Sequence, residues 1–442
     1  MTYIDHTDRN VFLFSLVFTV LVSLAVQLVI VPAIPEINGG HGLLAGGDAV
    51  GFHDVAVQLA ETMRSQGWSG WELRPNTWAP AGIAAAFYYA TGIYEPFVLI
   101  PLNCLLYSVG MYFIYCSIRR IMPSAFQWMA ISPLLLFPSS LIIYSQISRD
   151  VLTFSGVSVF LFLLVSAALH ERTGFRTLPR YFILAVAASA LLWVGRPYLL
   201  KVVAVCLAAT YLVLIGWRLM QRKPVPVILL AIMLVVPVGM SFLGADDKAV
   251  LVEAPPATQS QAPQTSAQVP QTSLEPAGRP APYSLFDRVL DTINATRSSF
   301  LRSFESAGSN IDVDVHFDSY VDVFAYVPRA ITIGLAAPFP TTWFASAVES
   351  GGRMMRLLSA GEMFIAYLSY AGLLLLLLSP LPQKSPAVIV LLFCAGAIVL
   401  YVVAVPNVGS LYRMRYPFWQ TFVCFGVLGW TIWLSNPRAR GP

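Results

Sequence analysis

The chain has 442 residues, of which 57% are hydrophobic and 11% are charged, whereas a soluble domain carries about 25% charged residues. This composition excludes an ordinary soluble globular protein, and a net charge of +4 gives no indication of nucleic-acid binding. Apolar runs of about 20 residues recur, and each is long enough to cross a bilayer as a helix. The sequence therefore predicts an all-α polytopic membrane protein with about 10–12 transmembrane helices.

The apolar runs give ten predicted spans, which we take in chain order. The first is too long for a signal-peptide core and lacks a nearby small-residue cleavage site, so we predict a retained helix. The spans cover approximately residues 11–33, 95–116, 127–144, 151–169, 181–195, 199–216, 224–243, 362–381, 386–405 and 417–434.

Arg and Lys concentrate in alternate loops, which predicts the orientation because cytoplasmic loops are enriched in these residues. With the N-terminus in the cytoplasm, every basic cluster falls inside. The clusters contain Arg119, Arg120, Arg172, Arg176, Arg180, Arg218, Arg222, Lys223, Lys384, Arg438 and Arg440. We therefore expect both termini to be cytoplasmic.

Two apolar segments are ambiguous. Residues 79–93 are short for a span. Residues 330–348 are long enough but contain Pro338 and Pro340, and a full span there would invert everything that follows. We predict a re-entrant or interfacial segment at 330–348, which is tolerated where the backbone is buried in protein.

The spans divide the chain into three parts. Residues 1–243 form an N-terminal transmembrane module whose first external loop, 34–80, holds a predicted helix that starts near Asp48 and lies on the membrane. Residues 244–328 form an external loop, in which the Pro/Gln/Ser/Thr-rich stretch 254–282 predicts a disordered linker. Residues 329–442 form a C-terminal transmembrane module. The five cysteines lie in apolar spans without metal-ligand spacing, and we expect no disulfide.

Polar residues on the predicted outer side are candidates for function. Arginines there oppose the usual distribution, and Arg suits phosphate because its planar fork binds two oxygens at once. The candidates are Asp48, His53, Asp54, Arg149, Asp150, Arg196, Arg329, Glu362, Tyr412, Arg413, Arg415 and Tyr416.

Each candidate has a simpler structural interpretation. Asp48 could be a helix N-cap, and His53 and Asp54 could lie on a solvated helix face. Arg149 and Asp150 could form a local ion pair, and Arg196 could extend to lipid headgroups. Arg413 and Arg415 could be interfacial anchors. Acidic residues in the second loop could ligate a divalent cation or form a solvated segment: Asp312, Asp314, Asp318 and Asp322, with His316.

Two motifs carry a family resemblance. Asp48-x3-Phe52-x3-Ala56 resembles the first external loop of the GT-C glycosyltransferases, and Tyr412-Arg413-Met414-Arg415-Tyr416-Pro417 is similar to a run before a late helix in bacterial members. A weaker likeness to membrane proteins of bacterial polysaccharide clusters comes from Phe137–Ser140, Ser148–Asp150 and the stretch 328–340.

The resemblance implies an inverting transfer from a polyprenyl-phosphate-linked sugar to a glycan or lipid acceptor, at the outer face of the bacterial inner membrane. Asp48 would be the catalytic base or would orient the acceptor hydroxyl, and Arg413 or Arg415 would neutralise the leaving phosphate. His53, Asp54, Arg149, Asp150, Arg196, Arg329 and Tyr412 would contact substrate. The chain departs from the pattern in having Phe52 where many relatives have Tyr, and Ala49 where many have a second acid.

Two other functions remain open from the sequence. A polysaccharide polymerase or ligase would use the outer arginines without needing Asp48. A non-enzymatic lipid-glycan flippase would carry polar residues near the bilayer midplane, where these apolar runs hold few charges.

Overall fold

The computed structural model describes residues 6–121, 127–169, 177–243, 285–305, 307–344, 350–379 and 384–435. The predicted linker 254–282 lies outside these ranges. In the described residues the regular elements are helices. The α-helices are α1 His6–Ala25, α2 Val31–Ala33 (joined to α1 by the π-helix Val26–Ile30), α3 Asp48–Gln66, α4 Ala79–Thr91, α5 Ile100–Ile121, α6 Gln127–Ala130, α7 Ser132–Leu136, α8 Pro138–Ser145, α9 Asp150–Ala168, α10 Leu178–Gly195, α11 Pro197–Met220, α12 Val227–Ser241, α13 Leu285–Ser303, α14 Tyr320–Ala336, α15 Ser350–Leu378, α16 Lys384–Ala404, α17 Val408–Met414 and α18 Tyr416–Ser435.

Among the described residues, eight helices are long and apolar enough to cross a membrane, which confirms the prediction of a polytopic helical membrane protein. These candidate spans are Asp8–Ala33, Pro96–Ile121, Asp150–Ala168, Leu178–Gly195, Pro197–Met220, Arg353–Leu378, Ser385–Ala404 and Tyr416–Ser435. Each overlaps a span predicted from the sequence.

Two predicted spans differ from the structure. The run 127–144 is broken into α6, α7 and α8, with Pro133 and Pro138 at the starts of the second and third pieces. Proline lacks the N–H that a continuing helix requires and clashes with the preceding turn. The run 224–243 is helical only over the 15 residues of α12, which is shorter than the other spans.

Helix α9 forms the centre of the bundle. Of its candidate span, 94% is buried inside the protein. It packs against α5, α10, α16 and α18. This burial on all sides is expected for a helix that is apolar on every face.

Helices α15 and α18 pack in parallel at very close range. Ser369 lies against Gly426, and Gly372 lies against Gly426 and Gly429. Glycines let two backbones approach in a way that any side chain would prevent. Because α15 and α18 run in the same direction, their first residues lie at the same end of the bundle. Asp48 also lies there, and we call this the Asp48 end.

Helix α14 enters the bundle from the Asp48 end and ends inside the bundle. Its last turn meets two tyrosines of α15: the Tyr367 hydroxyl donates to the Ala336 carbonyl, and the Tyr370 hydroxyl donates to the Leu335 carbonyl, both at 2.7 Å. Past Ala336 the described chain continues without an α-helix to residue 344. The described part of 330–348 is therefore not one continuous spanning helix.

Helices α3 and α4 form a hairpin at the Asp48 end. The apolar face of α3, with Phe52, Ala56 and Met63, is buried in a cluster with Ala81, Ala84, Ala85 and Tyr88 of α4. The sequence predicted that this apolar face lies on the membrane, but α4 covers it. The ambiguous segment 79–93 is thus mostly a 13-residue helix packed on its neighbour, below spanning length.

Candidate functional site

Asp48 and Arg413 form an ion pair that joins the two ends of the chain. The Arg413 Nη2 atom donates to Asp48 Oδ2 at 2.9 Å. The Arg413 side chain is 43% exposed and that of Asp48 is 17% exposed. Asp48 is the first residue of α3, whose N-cap is Gly47, and no side chain caps the helix. The structure therefore does not support the N-cap interpretation of Asp48, although its charge still faces the favourable end of the helix dipole.

A second ion pair lies near the first and is buried. Arg196, between α10 and α11, donates to Asp150 Oδ1 at 2.5 Å and to the Tyr198 hydroxyl at 2.9 Å. Both side chains of the pair are at most 10% exposed. Arg413 and Arg149 lie close enough to attract the Asp150 carboxylate as well. Arg196 thus points inward to Asp150. This contact does not fit the interpretation that Arg196 extends to lipid headgroups.

Phe52 links the α3 helix to Arg149. The Arg149 guanidinium carbon lies 5.2 Å from the centre of the Phe52 ring. On another side, Phe52 packs edge-on against Trp78 at 5.4 Å. A guanidinium over an aromatic face is attracted by the ring quadrupole. Two carboxylates and three guanidinium groups therefore gather at the Asp48 end, and we call this set the charged cluster: Asp48, Asp150, Arg149, Arg196 and Arg413.

His53 lies inside the α3–α4 hairpin. It is 4% exposed, and its Nδ1 atom shares a 2.8 Å hydrogen bond with the Tyr88 hydroxyl. Burial first, and the neighbouring His41 second, lower the pKa of His53 below its usual value. Asp54, the next residue, is exposed. His53 therefore anchors α3 to α4, and Asp54 faces away from the buried side of the hairpin.

Arg415 and Arg413 have different environments although they are two residues apart. Arg415 is fully buried. Its guanidinium donates to the carbonyls of Ile333, Gly334 and Ala337 at the end of α14. The last carbonyls of a helix have no partners within the helix, and a buried cation satisfies them. Arg415 therefore holds α14 in place, and a phosphate role for Arg413 fits its exposure better.

Tyr412 also points away from the charged cluster. Its hydroxyl donates to the Glu362 carboxylate, which also accepts the backbone N–H of Ser139. Glu362 is 2% exposed. The sequence analysis listed Glu362 among the outer polar residues but assigned it no role. Its position inside an apolar run indicates that it needs a polar partner.

The second loop holds a separate network around Asp312. Arg329 donates to both carboxylate oxygens of Asp312, at 3.1 and 3.0 Å, and Tyr326 donates to it at 2.7 Å. Burial raises the Asp312 pKa, but these hydrogen bonds outweigh it and the pKa lies below its usual value. Asp322 instead forms a capping box with Ser319, the N-cap residue of α14. Within the described residues no group of three or more His, Cys, Asp or Glu could hold a metal ion, so the acidic residues of this loop do not converge.

Of the predicted site residues, the structure brings together Asp48, Arg149, Asp150, Arg196 and Arg413. It places His53, Tyr412 and Arg415 in contacts that join helices, and Arg329 in a pair with Asp312 of the second loop. No protein-family model matches this chain, and neither the curated proteins nor the solved structures give a match.

Proposed function

We propose that this protein is a membrane glycosyltransferase. It would move a sugar or a lipid-linked oligosaccharide from a polyprenyl-phosphate carrier to a cell-envelope glycan or lipid acceptor. The proposal places the charged cluster on the outer face of the bacterial inner membrane, with both chain termini in the cytoplasm. It rests on one observation above all, the ion pair between Asp48 and Arg413.

The pair puts a carboxylate and a guanidinium in contact at one accessible point. An inverting transfer needs these two charges: a base for the acceptor hydroxyl and a cation for the phosphate that leaves. The two motifs that resemble the GT-C enzymes contribute one residue each. They are 365 residues apart in the sequence, so neither motif by itself implies the contact.

The proposed reaction begins when the carrier phosphate reaches Arg413. Phosphate oxygens compete with Asp48 for the guanidinium, and the Asp48 carboxylate is released from its partner. Asp48 then takes the proton of the acceptor hydroxyl as that oxygen attacks the anomeric carbon of the sugar. The bond from this carbon to the phosphate oxygen breaks, the electron pair stays on the phosphate, and Arg413 stabilises the new charge.

The remaining residues of the cluster fix the positions of these two. Arg149 is held over the Phe52 ring, one turn along α3 from Asp48. The buried Asp150–Arg196 pair ties the start of α9 to the α10–α11 corner. Because the cluster has three guanidinium groups and two carboxylates, its net charge is positive, which favours an anionic lipid.

The experiment is transfer of radiolabelled sugar from polyprenyl carriers by the purified protein. We expect Asp48→Asn to lower the turnover number by about a hundredfold, the usual range for a general base, while carrier binding is retained. Arg413→Gln should lower both carrier binding and turnover, and Arg413→Lys should restore part of each. Asp314→Asn removes an exposed carboxylate of the second loop and should leave transfer unchanged.

Full transfer by Asp48→Asn would eliminate Asp48 as the base and favour a polymerase or ligase that relies on the arginines. Carrier binding without transfer to any acceptor, together with movement of the carrier across vesicles, would instead favour the flippase.

A further inference from the structure

An apolar groove lies between the broken segment α7–α8 and helix α15. Its volume is about 430 Å³. The groove is bounded by Ser132, Pro133, Leu136, Phe137, Pro138, Leu357, Leu358, Gly361, Glu362, Ile365 and Val427. The groove lies beside the break in the 127–144 run, and Pro133, Leu136 and Pro138 are among its lining residues.

The groove opens on an exposed apolar surface of the bundle, which we infer to face the bilayer. Leu136 is 63% exposed, and Leu357 and Ile365 are 44% and 45% exposed. All three lie on apolar segments, and α15 is a candidate span. Lipid hydrocarbon is what surrounds such side chains at this depth. A hydrocarbon chain can therefore enter the groove sideways from the membrane.

The Glu362 carboxylate lies at the wall of the groove and already has hydrogen-bond donors. Glu362 accepts hydrogen bonds from the Ser139 backbone and from Tyr412. A phosphate placed there would meet this acid. The groove therefore suits the chain of a lipid, and the headgroup must lie elsewhere.

Arg353 supplies the position for a headgroup. It is exposed and begins the apolar stretch of α15. Residues four apart share a helix face, so Arg353 lies one turn beyond Leu357 at the rim of the groove. Charge near the headgroup level attracts anionic lipid. None of the residues that bound the groove belongs to the charged cluster, and Tyr412 bonds to Glu362 whereas Arg413 bonds to Asp48.

We propose that this groove binds one anionic glycerophospholipid of the bilayer, with an acyl chain along Leu357, Gly361 and Ile365 and the phosphate at Arg353. The second acyl chain stays in the membrane. The site does not depend on the glycosyl-transfer proposal, because its occupant and its position are different.

Photo-crosslinking in nanodiscs tests the site directly, with a diazirine in an acyl chain of phosphatidylglycerol or phosphatidylethanolamine. Crosslinked peptides are mapped by mass spectrometry. A Cβ at Gly361 would meet no atom within 4 Å, so we expect Gly361→Leu to fill the groove without disturbing the fold. Gly216 of α11 is equally open and lies outside the groove, which makes Gly216→Leu the matched control.

We expect phosphatidylglycerol to label α7 and α15, with a loss of at least threefold in Gly361→Leu and no loss in Gly216→Leu. Arg353→Gln should reduce labelling by phosphatidylglycerol about fivefold, the effect of one interfacial charge, and Arg353→Lys should preserve it. Equal labelling by the two lipids, or unchanged labelling in Gly361→Leu, would overturn the proposal. Displacement by equimolar polyprenyl phosphate would also overturn it and assign the groove to the carrier.

Discussion

Arg413 donates to Asp48 across 365 residues of sequence, and this contact fastens the start of helix α3 to the short helix α17. The pair is partly exposed, with Arg413 in contact with solvent and Asp48 largely covered. It also joins the segment 34–80 to the C-terminal part of the chain. A change in this pair therefore reports on the packing of the two regions.

The Asp48–Arg413 coupling should be small and sensitive to salt. We expect a double-mutant cycle with Asp48→Asn and Arg413→Gln to give about 0.5–1 kcal/mol, because exposed pairs are screened by solvent. Raising the ionic strength should reduce the coupling further. The measurement is thermal unfolding in detergent. Unfolding is monitored by the reaction of a dye with the cysteines, four of which are buried in the folded protein. A coupling above about 3 kcal/mol would indicate a buried pair and contradict the exposure in the structure.

Arg415 should matter for stability far more than Arg413. Arg415→Ala removes the donor to the carbonyls of Gly334 and Ala337, whereas the Ile333 carbonyl still accepts the Ala337 N–H, and each buried carbonyl without a donor is costly. We expect a loss of about 2–4 kcal/mol, measured by the same unfolding assay. Arg413→Ala is the matched control and should cost about 1 kcal/mol or less. If Arg415→Ala kept the wild-type stability and lost only phosphate binding, the helix-capping role would be wrong.

The Asp150–Arg196 pair should be among the most sensitive contacts in the protein. Asp150→Asn leaves the Arg196 guanidinium buried without its counter-charge, for which we expect a loss of about 3–5 kcal/mol in the free energy of unfolding. Arg329→Gln breaks a pair in which the arginine is 47% exposed, and should cost about 1 kcal/mol or less. Equal effects of the two substitutions would show that burial does not distinguish these pairs.

The parallel packing of α15 on α18 should not tolerate a methyl group. In Gly372→Ala the new Cβ would collide with the Gly426 carbonyl and the Trp430 indole. We expect a loss of about 2 kcal/mol, typical of overpacking. Gly361→Ala, on the same helix, would meet open space and should raise the unfolding temperature slightly, because alanine is a better helix former than glycine. The two alanines have similar helix propensity, so a difference between them isolates the close approach.

The α3–α4 hairpin should weaken in acid through His53. Burial and His41 lower its folded pKa below 6.5, while Asp54 and Glu95 oppose this shift. The unfolded segment therefore binds the proton more readily, so stability is complete above about pH 6.5 and falls as the pH drops below it. Amide hydrogen exchange of α3 against pH measures this opening. His53→Gln should remove the dependence while His41→Gln keeps most of it, and an unchanged profile in His53→Gln would assign the effect elsewhere.

Patterns that lie within one stretch of chain could be read from the sequence. Apolar length predicted the eight candidate spans, and the two glycines before Asp48 matched the start of α3. The five cysteines are free, as their positions in apolar runs suggested. Pro133 and Pro138 indicate a helix break in the sequence itself, but the prediction of a span over 127–144 gave more weight to apolar length.

Composition and apolar periodicity thus determined that the chain is a helical membrane protein, because a bilayer requires long apolar helices whatever their partners. The tertiary structure decided which polar groups meet. Arg413 and Arg415 have the same chemistry and nearly the same position in the sequence, yet one reaches Asp48 and the other ends inside the last turn of α14. The fold made that choice, because side chains two residues apart on a helical turn point in different directions, and only packing sets what each direction contains.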